Sequence, residues 1–302
     1  DDQYYLIDLV ESSFNIFLES EFSVHKDYGK QYHKMSDAMM QKSIVGLYEK
    51  IDKNLKFRFM EKFDNLEIFI NNTIERYAGL FFPMESLSKN VIFITANEVM
   101  SVEEGRILVH EMGHDFEFEN AKKNGVTSIW NGIVRTIYPE VCSSFFEYAY
   151  INYLIENNIY KEDAMILKRR YLNQIYYFLS YLLIIFNHRN LNIDPEFNIK
   201  LENKEIVDYA NSILEMMNSS DDLFEIDDKL NFRTPFVYGI GKLIAIYVYD
   251  AYKNNSKEFL SNFKKSLLEY KDKGMDAFSH LGITYDSLIE GKVLKRALTE
   301  CK

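Results

Sequence analysis

Ser101-Val102-Glu103-Glu104-Gly105-Arg106-Ile107-Leu108-Val109-His110-Glu111-Met112-Gly113-His114 holds a helix start and, from nine residues after Ser101, two histidines four apart. Ser101 followed by Glu104 reads as a capping box: the serine oxygen accepts a first-turn amide while the glutamate reaches back to the Ser101 amide. The apolar run Ile107-Leu108-Val109 then predicts a buried helix from Val102 to about Ala121. On that helix His110 and His114 share one face about a turn apart, so their ring nitrogens can converge on one cation, with Zn2+, one per chain, as the expected cofactor. Glu111 lies beside them without needing to ligate, where it can take a proton from water that the cation has made acidic.

Upstream, Asn90-Val91-Ile92-Phe93-Ile94-Thr95 is short, β-branched and aromatic, and predicts a strand. An extended peptide substrate paired along it would contact Phe93, Ile94 and Thr95 through main-chain hydrogen bonds. Downstream, Pro139 suits the first turn of a further helix running to about Glu156. Glu140 and Glu147 lie seven residues apart on one face of it. Glu140, thirty residues after His110, is the candidate third metal ligand; a first-turn carboxylate stabilising the helix dipole is the competing reading. Glu147 is the candidate acceptor for a ligand histidine's other N–H, with an ion pair as its alternative.

The remaining chain predicts helices. Amphipathic spacing marks Leu6–Leu18, Gln31–Asp52 and Phe57–Ala78, then Glu162–Phe186, Glu205–Met217, Pro235–Tyr252, Lys257–Lys271 and Tyr285–Leu298. Asn187–Lys204 reads as a loop, and Ser219–Asp228 as a polar surface excursion. With 12 glycines and 4 prolines in 302 residues, turn punctuation is sparse and the class is mainly α, with a small β element beside the active-site helix. The organisation expected is a single domain over 1–302, with a helical lead-in over 1–89 and the active-site core over 90–302.

Net charge is -11 and no Lys/Arg cluster overrides that balance, which disfavours nucleic acid as a partner, because phosphate binding needs a concentrated basic surface. The most apolar window, Tyr176–Phe186, is too short to span a bilayer, so no membrane association is expected. Two cysteines, Cys142 and Cys301, make no disulfide framework and fit a reducing, cytoplasmic compartment. The chain opens Asp1-Asp2-Gln3 with no signal-peptide pattern; secretion would require an upstream signal already removed. His25, His33, His188 and His280 are isolated and read as solvated or capping residues. Trp130 reads as a core anchor between the two metal helices.

His110-Glu111-Met112-Gly113-His114 followed by Glu140-x-x-Ser143-x-x-x-Glu147 resembles the thimet oligopeptidase and oligoendopeptidase F family of zinc peptidases, the oligoendopeptidase F branch more closely. The resemblance implies a helical zincin-type fold, a deep cleft, one zinc, and endopeptidase action on short peptides. Thr234-Pro235-Phe236-Val237-Tyr238-Gly239-Ile240-Gly241-Lys242 is similar to the tyrosine-rich helix start that in this family faces the zinc, and Gly274–Ile283 to its closing helix. Tyr238 is therefore the candidate donor to the oxyanion, with core packing as its alternative, and Arg233 a second electrophile or a surface ion pair. The pattern departs from the family at Leu230, near where a histidine is expected. The chain is also shorter than usual members, which implies that most of the N-terminal lobe is missing and the site more open.

Two rival functions follow from the same residues. A zinc carboxypeptidase of related helical fold would use Arg233 to clamp the substrate's terminal carboxylate. A non-catalytic peptide-binding protein would retain the zinc structurally, but has no need of Glu111 beside the metal.

Overall fold

The capping box forms as the sequence requires. Glu103 N–H donates to Ser101 Oγ at 3.1 Å and Ser101 N–H to Glu104 Oε2 at 2.7 Å, and the helix they start runs from Val102 to Lys123. In a computed structural model describing residues 2–20, 22, 32–71, 78–84, 89–95, 100–125, 133–188 and 233–301, this helix is one of a mainly α set. In chain order the elements are α1 (Asp2–Glu19), α2 (Asp37–Ile51), α3 (Lys53–Asp64), β1 (Ile68–Asn71), β2 (Gly79–Met84), β3 (Lys89–Thr95), α4 (Val102–Lys123), α5 (Ile133–Glu156), α6 (Lys161–His188), α7 (Arg233–Asn254), α8 (Ser256–Lys273), a 3-10 helix (Gly274–Leu281), α9 (Tyr285–Glu290) and α10 (Lys292–Thr299).

Helix α5 is the spine. Every side chain from Pro139 to Asn152 is buried, and α4, α6 and α7 all pack along it. Gly113 lets α4 approach closely, because a Cβ built there would stand 2.5 Å from the Ser143 Cα of α5. An aromatic cluster ties α8 to the other two: Phe145 lies 5.0 Å from Phe259 and 5.2 Å from Phe263, and Phe116 5.4 Å from Phe146. Each such ring taken from water contributes roughly 1.5–3 kcal/mol. Helix α1 packs on α6 and on the two C-terminal helices. No helix among the described residues is long and apolar enough to cross a membrane.

Several expected boundaries move. Ser36 caps α2, so Tyr32–Met35 stay outside the helix. Asp52 ends α2 and starts α3, where it accepts from Asn54 N–H at 2.6 Å. The segment expected as one helix from Phe57 to Ala78 stops at Asp64, turns through Leu66 in the left-handed region (φ 54), and becomes β1. The lead-in is therefore not wholly helical. Pro139 lies well inside α5 rather than in its first turn; a proline there cannot donate to the carbonyl four residues back. The helix expected over Tyr285–Leu298 breaks at Gly291 (φ 65). The closing segment Gly274–Ile283 is 3-10 rather than α up to Leu281. Asn187 and His188 extend α6, whereas the rest of the predicted loop, Glu205–Met217, Ser219–Asp228, Leu230, Trp130 and His25 lie outside the described residues.

The sheet has the order β1-β3-β2. β1 pairs parallel with β3, from Ile68 opposite Ile92 to Asn71 opposite Thr95. β2 pairs antiparallel with it, from Gly79 opposite Ile94 to Met84 opposite Lys89. The predicted strand is thus the central one, and both its hydrogen-bonding edges are taken.

Candidate metal centre and active site

Three potential ligands meet at the contact between α4 and α5. Donor atoms of His110, His114 and Glu140 all lie within 4.8 Å of one another. His110 Nε2 stands 3.5 Å from Glu140 Oε2, and His114 Nε2 stands 3.6 Å from Glu140 Oε1. Tetrahedral zinc with bonds near 2.0–2.1 Å needs its donors roughly 3.3–3.5 Å apart, so the spacing and the two-imidazole, one-carboxylate chemistry both fit that ion. Glu140 sits mid-helix, which removes the first-turn dipole reading.

Glu147 lies behind His110. The His110 Nδ1 to Glu147 Oε2 distance is 3.0 Å; facing a carboxylate, Nδ1 must be the donor, which leaves the Nε2 lone pair turned to the Glu140 side. Arg106 Nη1 donates to Glu147 Oε1 at 2.7 Å, and Lys242 Nζ reaches both oxygens at 2.9 Å. Against the upward push of burial, Lys242, Arg106 and His110 hold the Glu147 carboxyl well below the usual carboxylate range. Glu147 is thus hydrogen-bonded to His110 and ion-paired with Arg106 and Lys242.

The other groups respond to burial differently. Burial raises the Glu140 carboxyl, although His110 and Lys242 oppose it. Burial and the neighbouring His110 drive His114 well below the usual histidine range. His110 goes the other way, because the Glu147 hydrogen bond and the charge of Glu140 outweigh burial.

Glu111 is buried at 7% exposure between α4 and β2. Burial raises its carboxyl to about 7, with Glu140 adding to the rise and His110 opposing it; an N–H from Phe81 also steadies the charged form. Gly79 makes this space, since a Cβ there would lie 2.6 Å from Glu111 Oε1 and 2.6 Å from Ile107 Cγ2. A carboxyl with pKa near neutrality, one position from a candidate metal ligand, is suited to giving and taking protons.

Tyr238 on α7 is half-buried, and the charge of Glu140, followed by burial, raises its phenol. The structure thus brings it to the ligand cluster. Arg233 opens α7; its side chain lies outside the described residues. Phe93, Ile94 and Thr95 require correction as backbone contacts for substrate, because β3 is internal to the sheet. Among the described residues the strand edge beside Glu111 belongs to β2.

Sequence reasoning missed four contributors. Asp115, fully buried next to His114, takes Arg58 Nη2 at 2.8 Å, Lys62 Nζ at 3.3 Å and Asn90 Nδ2 at 3.0 Å, fastening the metal helix to α3 and β3. Arg106, Lys242 and Gly79 were likewise unassigned. A lone lysine within Val237–Val248, a stretch otherwise apolar apart from glycine, Tyr238 and Tyr247, was the one legible signal.

Two solved structures superpose on nearly the whole chain. One, assigned as an oligoendopeptidase F from Bacillus anthracis str. Ames, aligns with TM-score 0.61 and 14% identity over 99% of this chain and 54% of its own. The other, PZ peptidase A with an inhibitor, aligns with TM-score 0.60 and 13% identity over 97% of this chain and 55% of its own. The chain therefore spans about half the length of the structures it matches. The sequence matches no protein-family model and no curated protein. At 13–14% identity the likeness is one of fold, and that fold is a mainly helical one shared with these peptidases.

Proposed function

We propose that this chain is a zinc-dependent endopeptidase acting on short, extended peptides, with His110, His114 and Glu140 holding the metal and Glu111 as general base. The observation that carries the reading is the convergence of those three donors beside a buried carboxyl that is not a ligand. The fold shared with two peptidases supports it.

Zinc in this donor set would act as a Lewis acid, lowering the pKa of water toward neutrality and polarising a peptide carbonyl. The chain's own residues do the rest. Glu111 takes a proton from the attacking water and delivers it to the leaving amine, which its pKa of about 7 allows in both directions. The Tyr238 hydroxyl turns from Glu140 to the oxyanion that develops on the carbonyl. Substrate backbone adds along the β2 edge that passes Glu111, in place of the β3 strand expected from sequence, giving main-chain rather than side-chain selectivity.

The test is cleavage of a peptide library by the wild type and Glu111→Gln, each with its metal content measured. The expected outcome is stoichiometric zinc in both and activity in the wild type alone. Equal activity would refute the role of Glu111, and zinc without cleavage of any peptide would favour a binding protein. Loss of cleavage only on C-terminal amidation would turn the reading to a carboxypeptidase.

A further inference from the structure

Lys242 is costly to bury. It is 5% exposed on α7 between Gly241 and Leu243, in a stretch where every neighbour is buried. A lysine taken out of water destabilises the fold unless its charge is matched by close partners. Its Nζ meets both Glu147 oxygens at 2.9 Å and lies 4.2 Å from the centre of the Tyr171 ring, while the Tyr171 hydroxyl donates to the Lys242 carbonyl at 3.0 Å. Both ends of the residue are therefore fixed.

Its partner is the carboxylate that orients a ligand. Glu147 receives His110 and Arg106 from α4, and Lys242 from α7, so three helices are tied at one side chain. Lys242 also follows Tyr238 by four residues, which puts the two on one face of α7. On α5, Glu140 and Glu147 share a face in the same way. Helix α7 thus meets α5 at two points, at Gly241, where a Cβ would stand 2.9 Å from the Glu140 Cβ, and at Lys242 on Glu147.

We propose that Lys242 is a positioning residue: by clamping both oxygens of Glu147 it fixes that carboxylate against His110 Nδ1, and so aims the His110 Nε2 lone pair at the metal position. This rests on the metal site proposed above. Removal of a group that orients a metal ligand typically costs ten- to a hundredfold in metal affinity.

Lys242→Met keeps the apolar stem and removes the charge. Wild type, Lys242→Met, Glu147→Gln and the double variant are prepared metal-free, then titrated with Zn2+ against a chromophoric chelator and with Co2+ followed by visible absorption. Thermal midpoints are recorded alongside. The expected result is a loss of zinc affinity of about ten- to a hundredfold in Lys242→Met, with an altered Co2+ spectrum. A similar loss in Glu147→Gln, with no further loss in the double variant, is expected because the lysine acts through the carboxylate. Wild-type affinity and spectrum in Lys242→Met overturn the proposal whatever the thermal midpoint does, as does a double variant whose loss is the product of the two single losses. If the methionine variant does not fold, Lys242→Gln is read by the same criteria. A wild type that takes up no stoichiometric zinc overturns the metal site itself, and this proposal with it. A zinc-binding wild type beside an unaffected lysine variant overturns this proposal alone.

Discussion

Glu117→Gln is expected to make the stability of the fold less dependent on pH. The carboxyl lies one turn past His114 on α4, is 1% exposed, and its Oε2 has no hydrogen-bond partner among the described residues. Burial raises its pKa to about 8 from an unperturbed 4.5. The folded state therefore holds this proton more tightly than the unfolded chain does. Stability from the group is fully present below pH 4.5 and is lost as pH rises through 8, the reverse of an ion-paired carboxylate. At 1.36 kcal/mol per unit, the difference of 3.5 units (8 less 4.5) corresponds to about 5 kcal/mol between those limits, and water entry or local opening reduces it to roughly 2. Glutamine has the same shape and does not titrate. Relative to wild type, Glu117→Gln should gain at most about 1 kcal/mol at pH 5 and about 2–5 kcal/mol at pH 9. For 302 residues that is roughly 3–8 °C in thermal midpoint. The assay is thermal denaturation from pH 5 to 9 at fixed ionic strength, on metal-free and zinc-loaded protein. Two curves that run parallel across the range would refute the reasoning, because the titrating group would then lie elsewhere.

Three further outcomes follow from the same geometry. Gly113→Ala places a methyl 2.5 Å from a backbone atom of α5 that cannot rotate away, and should cost about 1–3 kcal/mol while weakening zinc binding, read by denaturation and chelator competition. Gly79→Ala should displace the Glu111 carboxyl and lower kcat about a hundredfold with zinc content unchanged; unimpaired turnover of a cleaved peptide would show that Glu111 has room to spare. Removing zinc with a chelator should lower the thermal midpoint by several degrees, since a ligand at a thousand times its Kd contributes about 4 kcal/mol to the folded state. An unchanged midpoint would mean that the donors do not hold the ion tightly.

What the sequence made legible was local. The capping box at Ser101, the four-residue histidine spacing and the seven-residue glutamate spacing are all properties of a single helix, and each holds in the structure. The failures were non-local or lacked punctuation. β1 has four residues and follows α3 through a left-handed leucine, where glycine or asparagine would have announced the turn. β3 is internal because two other strands reach it, one of them parallel, and its buried run Asn90–Ile92 already departs from the alternation of an edge. The ion pairs that fasten the site join residues far apart in sequence: Lys242 and Glu147 are 95 residues apart, Arg58 and Asp115 are 57. Hydrophobic periodicity carries no information about such pairs.

The centre is a product of helix packing rather than of loops. His110, Glu111 and His114 come from α4, Glu140 and Glu147 from α5, and Tyr238 and Lys242 from α7, so the three candidate donors are set by the spacing of α4 and α5, with α7 packed against both carboxylates' helix. Charge is sorted by the same packing. Burial pushes Glu111, Glu117 and Glu140 toward their neutral forms, whereas Glu147, met by cations from two helices, is held well below the usual carboxylate range. A shift of α5 against α4 would therefore disturb two things together, the distance between the donors and the identity of the ionised carboxylate. Close packing at Gly113 resists that shift, because there is no side chain between the helices through which they could slide. The proposed metal site, built this way, is expected to be more sensitive to a single methyl at the helix contact than to changes in the polar surface around it.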